Sequence, residues 1–121
     1  MIDFTSRPMS NSTIVVEVTG SLTGTDRKYF FDCIRDYIKS GYRNVIVECH
    51  KLGYVNSSGL ALLLGARQRV ARAGGGRIYL THLNSNVANI LEITKLGRLL
   101  SVYETTDQAV AKIETQLACV G

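Results

Sequence analysis

Stretches rich in β-branched residues alternate with stretches of helical apolar spacing along most of this chain, and that alternation limits the possible folds more than any other feature. Thr13-Ile14-Val15-Val16-Glu17-Val18-Thr19 ends at Gly20 and reads as a strand. Residues 3–7 are its expected hairpin partner, with Pro8 in the turn. Thr25-Asp26 then opens a helix whose apolar residues Phe30, Cys33, Ile34, Tyr37 and Ile38 keep helical spacing up to Gly41. Val45-Ile46-Val47 is short and continuously apolar, as suits a strand covered on both faces. A helix over 58–73 carries Leu60, Leu63, Leu64 and Val70 on one side and Arg67, Gln68 and Arg72 on the other. Gly74-Gly75-Gly76 stops it; no Lys-Ser or Lys-Thr follows, so the glycines are a turn and not a phosphate loop. Ile78-Tyr79-Leu80 is the next strand, and Ser85 is the expected cap of a helix with Val87, Ile90, Leu91 and Thr94 that ends near Gly97. Residues 99–103 read as the last strand. Thr105 and Gln108, spaced as a capping box, then open a final helix with an apolar stripe of Val110, Ile113 and Leu117.

The order β-β-α-β-α-β-α-β-α predicts an α/β fold with a mixed, mostly parallel sheet of about five strands and about four helices. Its first hairpin forms an antiparallel edge. In such sheets the functional loops gather at the carboxyl ends of the strands. Residues 20–25 and 55–59 both lie after a strand and before a helix, so they are expected to form one composite surface. The second loop runs Val55-Asn56-Ser57-Ser58-Gly59-Leu60 and sets two hydroxyls side by side at a helix start. A helix's first turn has unpartnered N–H groups and a partial positive charge, so a phosphate placed there is stabilised. Serine at such a position also serves as a plain N-cap, and the local pattern by itself favours that role.

Composition narrows the function classes. A chain of 121 residues holds one core, and no apolar run reaches the ~18 residues of a membrane span. The start, Met1-Ile2-Asp3-Phe4, has neither a basic segment nor a long apolar one, so a soluble cytoplasmic protein is expected. Cys33, Cys49 and Cys119 are odd in number and lack a CxxC, against both a disulfide framework and a zinc site. Cys33 and Cys49 are read as core thiols. His50 and His82 stand far apart in sequence without ligands at metal spacing, so no metal is expected. The formal charge of +4 is mild; Arg67, Arg69, Arg72 and Arg77 cluster, which would suit an acidic partner or a phosphate, but they are read as a solvated helix face whose long side chains cover apolar surface. No aromatic-interleaved basic stripe accompanies them, so nucleic acid is not an expected partner. No nucleophile–base–orienter set is visible, and the chain is not expected to be an enzyme or to carry a cofactor.

The chain resembles the STAS domain, in particular the single-domain bacterial anti-sigma factor antagonists. Asn56-Ser57-Ser58-Gly59-Leu60, reached through Leu52-Gly53-Tyr54-Val55, is similar to the family's Asp-Ser-Ser-Gly-Leu. Val18-Thr19-Gly20-Ser21-Leu22-Thr23 is similar to its Gly-Glu-Leu-Asp loop, and Gly75-Gly76-Arg77, the strand after it and residues 90–99 resemble its later half. The resemblance implies a single STAS-like domain over 1–121 that binds an anti-sigma factor and is switched by phosphorylation. The phosphorylated residue would be Ser57, with Ser58 as neighbour or helix cap, and the modifying enzyme the partner itself, a serine kinase that binds ATP. Ser21, Thr23, Tyr54, Val55, Asn56, Ser57, Ser58 and Gly59 would form the partner-binding surface. Ser21, Thr23 and Asn56 stand where the family has carboxylates, and charged pairs govern partner choice. The alternative expectation is a STAS subunit regulating a membrane transporter or signalling assembly without a phosphate switch.

Overall fold

The computed structural model describes residues 2–120, with side chains through residue 115. Six strands form one sheet: β1 (Ile2–Pro8), β2 (Thr13–Leu22), β3 (Asn44–Glu48), β4 (Leu52–Val55), β5 (Arg77–Thr81) and β6 (Ser101–Tyr103). The four α-helices are α1 (Arg27–Lys39), α2 (Ser57–Arg72), α3 (Ser85–Thr94) and α4 (Thr106–Val120). The sheet order is β1-β2-β3-β5-β6, with β1 antiparallel to β2 and every other pairing parallel. This is the expected mixed sheet with an antiparallel edge. None of the helices among the described residues is long and apolar enough to cross a membrane.

The sixth strand corrects the expected count. Leu52-Gly53-Tyr54-Val55 reads in sequence as a loop because it is short, contains glycine and has no alternation. In the fold it pairs with the end of β2, Gly20 to Leu52, Ser21 to Tyr54 and Leu22 to Val55, across a register shift between Gly20 and Ser21. Strand β3 leaves β2 after Glu17–Glu48, and β4 takes over the same strand's far end. Three further boundaries move. A 3-10 turn at Gly24–Asp26, capped at Thr23, precedes α1, whose own N-cap is Asp26 and not Thr25; the Asp26 carboxylate accepts from the Thr23 N–H at 2.8 Å. The cap of α3 is Asn84, not Ser85, its side chain accepting from the Val87 N–H at 3.0 Å. Leu99 lies in a 3-10 turn at Leu96–Leu99, so the last strand begins at Ser101. The Leu117 and Cys119 side chains lie outside the described residues.

Alternating side chains divide the strands between two cores. One face sets Ile14, Val16, Val18, Val45, Val47, Ile78 and Leu80 against Phe30 and Ile34 of α1 and Leu60, Leu63, Ala66 and Val70 of α2. The other sets Val15, Ile46 and Tyr79 against Ala109 and Ile113 of α4. Strands buried on both faces explain why 45–47 is apolar without alternation. Cys49 sits fully inside, where burial pushes its thiol up to about 12, while Cys33 is half-buried on α1. The arginine cluster covers apolar surface with its side chains, as expected. Arg69 lies over the Phe31 ring at 3.8 Å, with Arg27 over the same ring at 5.0 Å.

The contact that places α2 is between backbones. Gly59 is buried, and a Cβ built on it would lie 2.0 Å from the Leu22 carbonyl oxygen at the end of β2. Only a residue without a side chain lets the helix's first turn rest on the strand. Gly59→Ala is therefore expected to cost about 2–3 kcal/mol in chemical denaturation, because backbone and not a flexible side chain must give way. An unchanged midpoint would refute the close approach.

Candidate functional site

The end of β2, the end of β4 and the first turns that follow them meet at the carboxyl edge of the sheet, so the two expected loops do share one surface. Asn56 is extended, at φ −100° and ψ −178°, and its side chain accepts from the Gly59 N–H at 2.8 Å. Its carbonyl accepts from the Leu60 N–H at 2.9 Å. Asn56 is thus the N-cap of α2, which corrects the assignment of a capping role to Ser58. Ser57 and Ser58 occupy the first two helical positions, both exposed, and neither hydroxyl makes a side-chain hydrogen bond among the described residues. Their hydroxyls stand where an N-terminal helix field favours negative charge.

The neighbouring loop presses on this turn. A Cβ on Gly24 would lie 3.1 Å from the Ser58 Cβ and 3.5 Å from its hydroxyl oxygen. Thr23 is half-buried, its hydroxyl 2.8 Å from that of Thr25 and donating to the Asp26 carboxylate at 3.3 Å. Asp26 brings a carboxylate to this edge that the serine-turn motif does not reveal, and the carboxylate is folded back onto Thr23. Ser21 is half-buried and pairs with Tyr54 in the strand register. Tyr54 is 56% exposed, a large aromatic standing beside the serine turn. Val55 and Gly59, expected on the partner-binding surface, are buried: Val55 in the main core and Gly59 against β2. They shape the turn from beneath.

Sequence reasoning missed two further arrangements. Asn84 caps α3 with its oxygen and with its amide donates to the Leu52 carbonyl at 2.6 Å and the Cys49 carbonyl at 3.5 Å. It ties the β3–β4 connection, and so the approach to the serine turn, to α3. The second arrangement lies under α4. Glu48 is buried, receives both terminal nitrogens of Arg7 at 3.0 and 3.1 Å, and accepts a hydrogen bond from the Thr106 hydroxyl. The Thr81 hydroxyl lies 3.2 Å from that of Thr106, and His82 Nε2 accepts the Thr106 N–H at 3.2 Å. His50 stands 3.2 Å from Glu17, Lys51 is also 3.2 Å from Glu17, and the His50 and His82 rings are 5.7 Å apart.

Ligand atoms of Glu17, Glu48 and His50 fall within 4.8 Å of one another. Each carboxylate already has a cation against it, Arg7 on Glu48 and Lys51 on Glu17, so the group is balanced without a metal. Burial alone would raise the Glu48 carboxyl, but the hydrogen bonds from Arg7 and Thr106 and the charge of Arg7 hold it below the ordinary glutamate value. No sequence spacing announces this network, because its members come from β1, β3, β5 and the start of α4.

A STAS domain family model matches residues 6–109. The chain belongs to the STAS domain family. A Thermotoga neapolitana protein whose name places it, provisionally, among the anti-sigma factor antagonists is 24% identical over 88 residues, covering 73% of this chain and 74% of its own length. The crystal structure of a Thermotoga maritima protein provisionally named in the same way shares the fold with a TM-score of 0.81 at 18% identity, over 92% of this chain and 94% of that one. The anti-sigma factor antagonist SpoIIAA, solved in its unphosphorylated form, aligns with a TM-score of 0.71 at 20% identity, over 93% and 97% of the two chains. Its phosphorylated Bacillus form aligns at 0.66 and 21%, over 92% and 99%. At these identities the solved structures establish a shared STAS fold.

Two outcomes follow from the geometry. Asn56→Ala removes the cap and should cost about 1 kcal/mol in denaturant unfolding, whereas Ser58→Ala should change stability by less than about 0.5 kcal/mol. Equal losses would return the capping role to the serine. Because the folded state favours ionised Glu48, its contribution is complete above the ordinary glutamate range and is lost as pH falls through the lowered folded value. Arg7→Ala raises that value, so acid unfolding, followed by circular dichroism, should begin at higher pH, with a loss of about 1 kcal/mol near neutrality.

Proposed function

We propose that this STAS domain is an anti-sigma factor antagonist whose binding is switched by phosphorylation of Ser57. It acts in the cytoplasm as a single domain, through binding and not through catalysis. The observation that carries the reading is the division of labour in the turn. Asn56 supplies the cap, so the exposed Ser57 hydroxyl is left for modification without cost to the helix. The similarity to anti-sigma factor antagonists, one of them solved in a phosphorylated form, supports the same reading.

The physics of the switch follows from the site. A phosphate at the first helical position adds a charge of about −1.5 to −2 where the helix field favours it, so the fold tolerates it. A partner docked over Tyr54 and the serine turn would have to desolvate that charge, and the complex weakens. The expected partner is an anti-sigma factor that is itself a serine kinase and brings its own ATP. Ser21, Thr23 and Asn56 leave few acids on the docking edge, so the partner's contact surface should be less basic than one built to meet carboxylates.

The test is to incubate the protein with the candidate kinase and ATP, locate phosphate by mass spectrometry, and compare capture of the partner by wild type, Ser57→Ala and Ser57→Asp. Phosphate on Ser57, at least about tenfold weaker capture by Ser57→Asp, and a melting temperature changed by the equivalent of less than about 0.5 kcal/mol are expected. No phosphate on Ser57 together with unchanged capture by both variants sinks the proposal. Capture of a transporter ATPase or sensory assembly instead would favour a STAS subunit of a larger assembly.

A further inference from the structure

Two arginines of the sequence cluster, Arg67 and Arg77, and a third outside it, Arg98, line one cavity at the other end of the sheet. Arg67 comes from α2, Arg77 opens β5, and Arg98 lies in the 3-10 turn before β6; the cavity has a volume of about 430 Å³. Ser101, Ile78 and Leu99 complete the parts of the lining that matter for recognition, and no acidic residue lines it. None of the three arginines takes part in an ion pair or a side-chain hydrogen bond among the described residues, whose ion pairs involve other cations. The frame is fixed: Gly76 is buried, and a Cβ on it would lie 2.2 Å from the Arg43 carbonyl oxygen and 2.7 Å from a Val70 methyl carbon.

The geometry points to a binding site for a small organic phosphomonoester. Three arginines lining one concavity sum their potentials, and with no carboxylate in the lining they favour a doubly charged oxyanion. Guanidinium forks match the oxygens of phosphate, and three forks from three elements match a group with three terminal oxygens. The volume falls within the range of small-molecule pockets and exceeds what a bare ion fills. Apolar lining supplies the rest: Ile78 is buried and Leu99 is 49% exposed at the rim, where an organic body would cover it. A concave site of this kind suits a small molecule better than the flat contact of a protein partner. It lies at the start of β5 and β6, whereas the serine turn lies at the carboxyl ends of the strands.

Titration of the isotope-labelled full chain with phenyl phosphate, inorganic phosphate, benzoate and a polyglutamate peptide, read from backbone amide shifts, tests the site. Phenyl phosphate should give saturable shifts confined to residues 75–77 and 98–101, inorganic phosphate the same shifts at several-fold lower affinity, and benzoate and the peptide no saturation there. Arg77→Gln and Arg98→Gln should each weaken phenyl phosphate about tenfold, equivalent to one lost charge-assisted contact. Their melting temperatures should match wild type, since both side chains are exposed. Equal affinity for inorganic and phenyl phosphate would mean an adventitious ion only and would overturn the proposal. So would shifts scattered over the basic surface, no saturation, saturable binding of the peptide, or variants that bind as wild type does.

Discussion

Strand β2 pairs with β1 along one edge and with β3 and then β4 along the other, and its last carbonyl is the surface on which α2 begins. The close approach of Gly59 to Leu22 is therefore more than a packing detail. It fixes where the helix starts relative to the sheet, and so where Ser57 and Ser58 stand relative to Thr23, Gly24 and Tyr54. The register shift between Gly20 and Ser21 belongs to the same arrangement, because it lies within the β2–β4 pairing that carries both loops to one edge.

Polar chemistry is distributed so that the helix start remains available. Asn56 satisfies the Gly59 N–H, Asp26 is folded onto Thr23, and Asn84 holds the β3–β4 connection by its backbone carbonyls. Each uses a side chain outside the serine pair to satisfy a structural need. On the α4 face, buried Glu48 is likewise satisfied within the protein, by Arg7 and Thr106. That network joins the antiparallel edge strand to the start of the last helix. Glu48 is buried while the Arg7 side chain is 53% exposed, so the pair meets solvent on the edge-strand side.

The alternation of segments made the fold class legible, because strands covered on both faces and helices of amphipathic spacing leave few packings. Residues 45–47 and the apolar positions of α1 and α2 carried that information. β4 was not legible, since its pairing is set by the far end of β2, which extends beyond β3, and not by its own four residues. Two caps moved to an asparagine upstream, Asn56 taking the role assigned to Ser58 and Asn84 that assigned to Ser85, whereas the Thr105 hydroxyl accepts from the Gln108 N–H as expected. Both residue types cap well, and only backbone geometry separates them. Of the expected partner-binding residues, Tyr54, Asn56, Ser57 and Ser58 were legible as a strand-to-helix turn. That Val55 and Gly59 support this turn from below follows from the pairing of β4, which the sequence does not display. The Glu48 network joins residues from distant elements that no local pattern encodes, and of the three-arginine cavity only Arg67 and Arg77 stand close in sequence.

The serine turn and the arginine cavity lie toward opposite ends of α2, and that separation determines how they can influence one another. Ser57 and Arg67 are ten helical residues apart, about 15 Å along the axis at ~1.5 Å per residue. Exposed charges at that distance are screened, since the Debye length in physiological salt is about 8 Å. A phosphate on Ser57 therefore cannot draw an anion out of the cavity through its field. Coupling would have to pass through displacement of α2 itself, and the Leu22–Gly59 backbone contact opposes that displacement at one end while the Gly76–Arg43 contact opposes it in the turn after the other. Two rigid anchors make the helix a spacer, so the two ends should respond to their ligands independently.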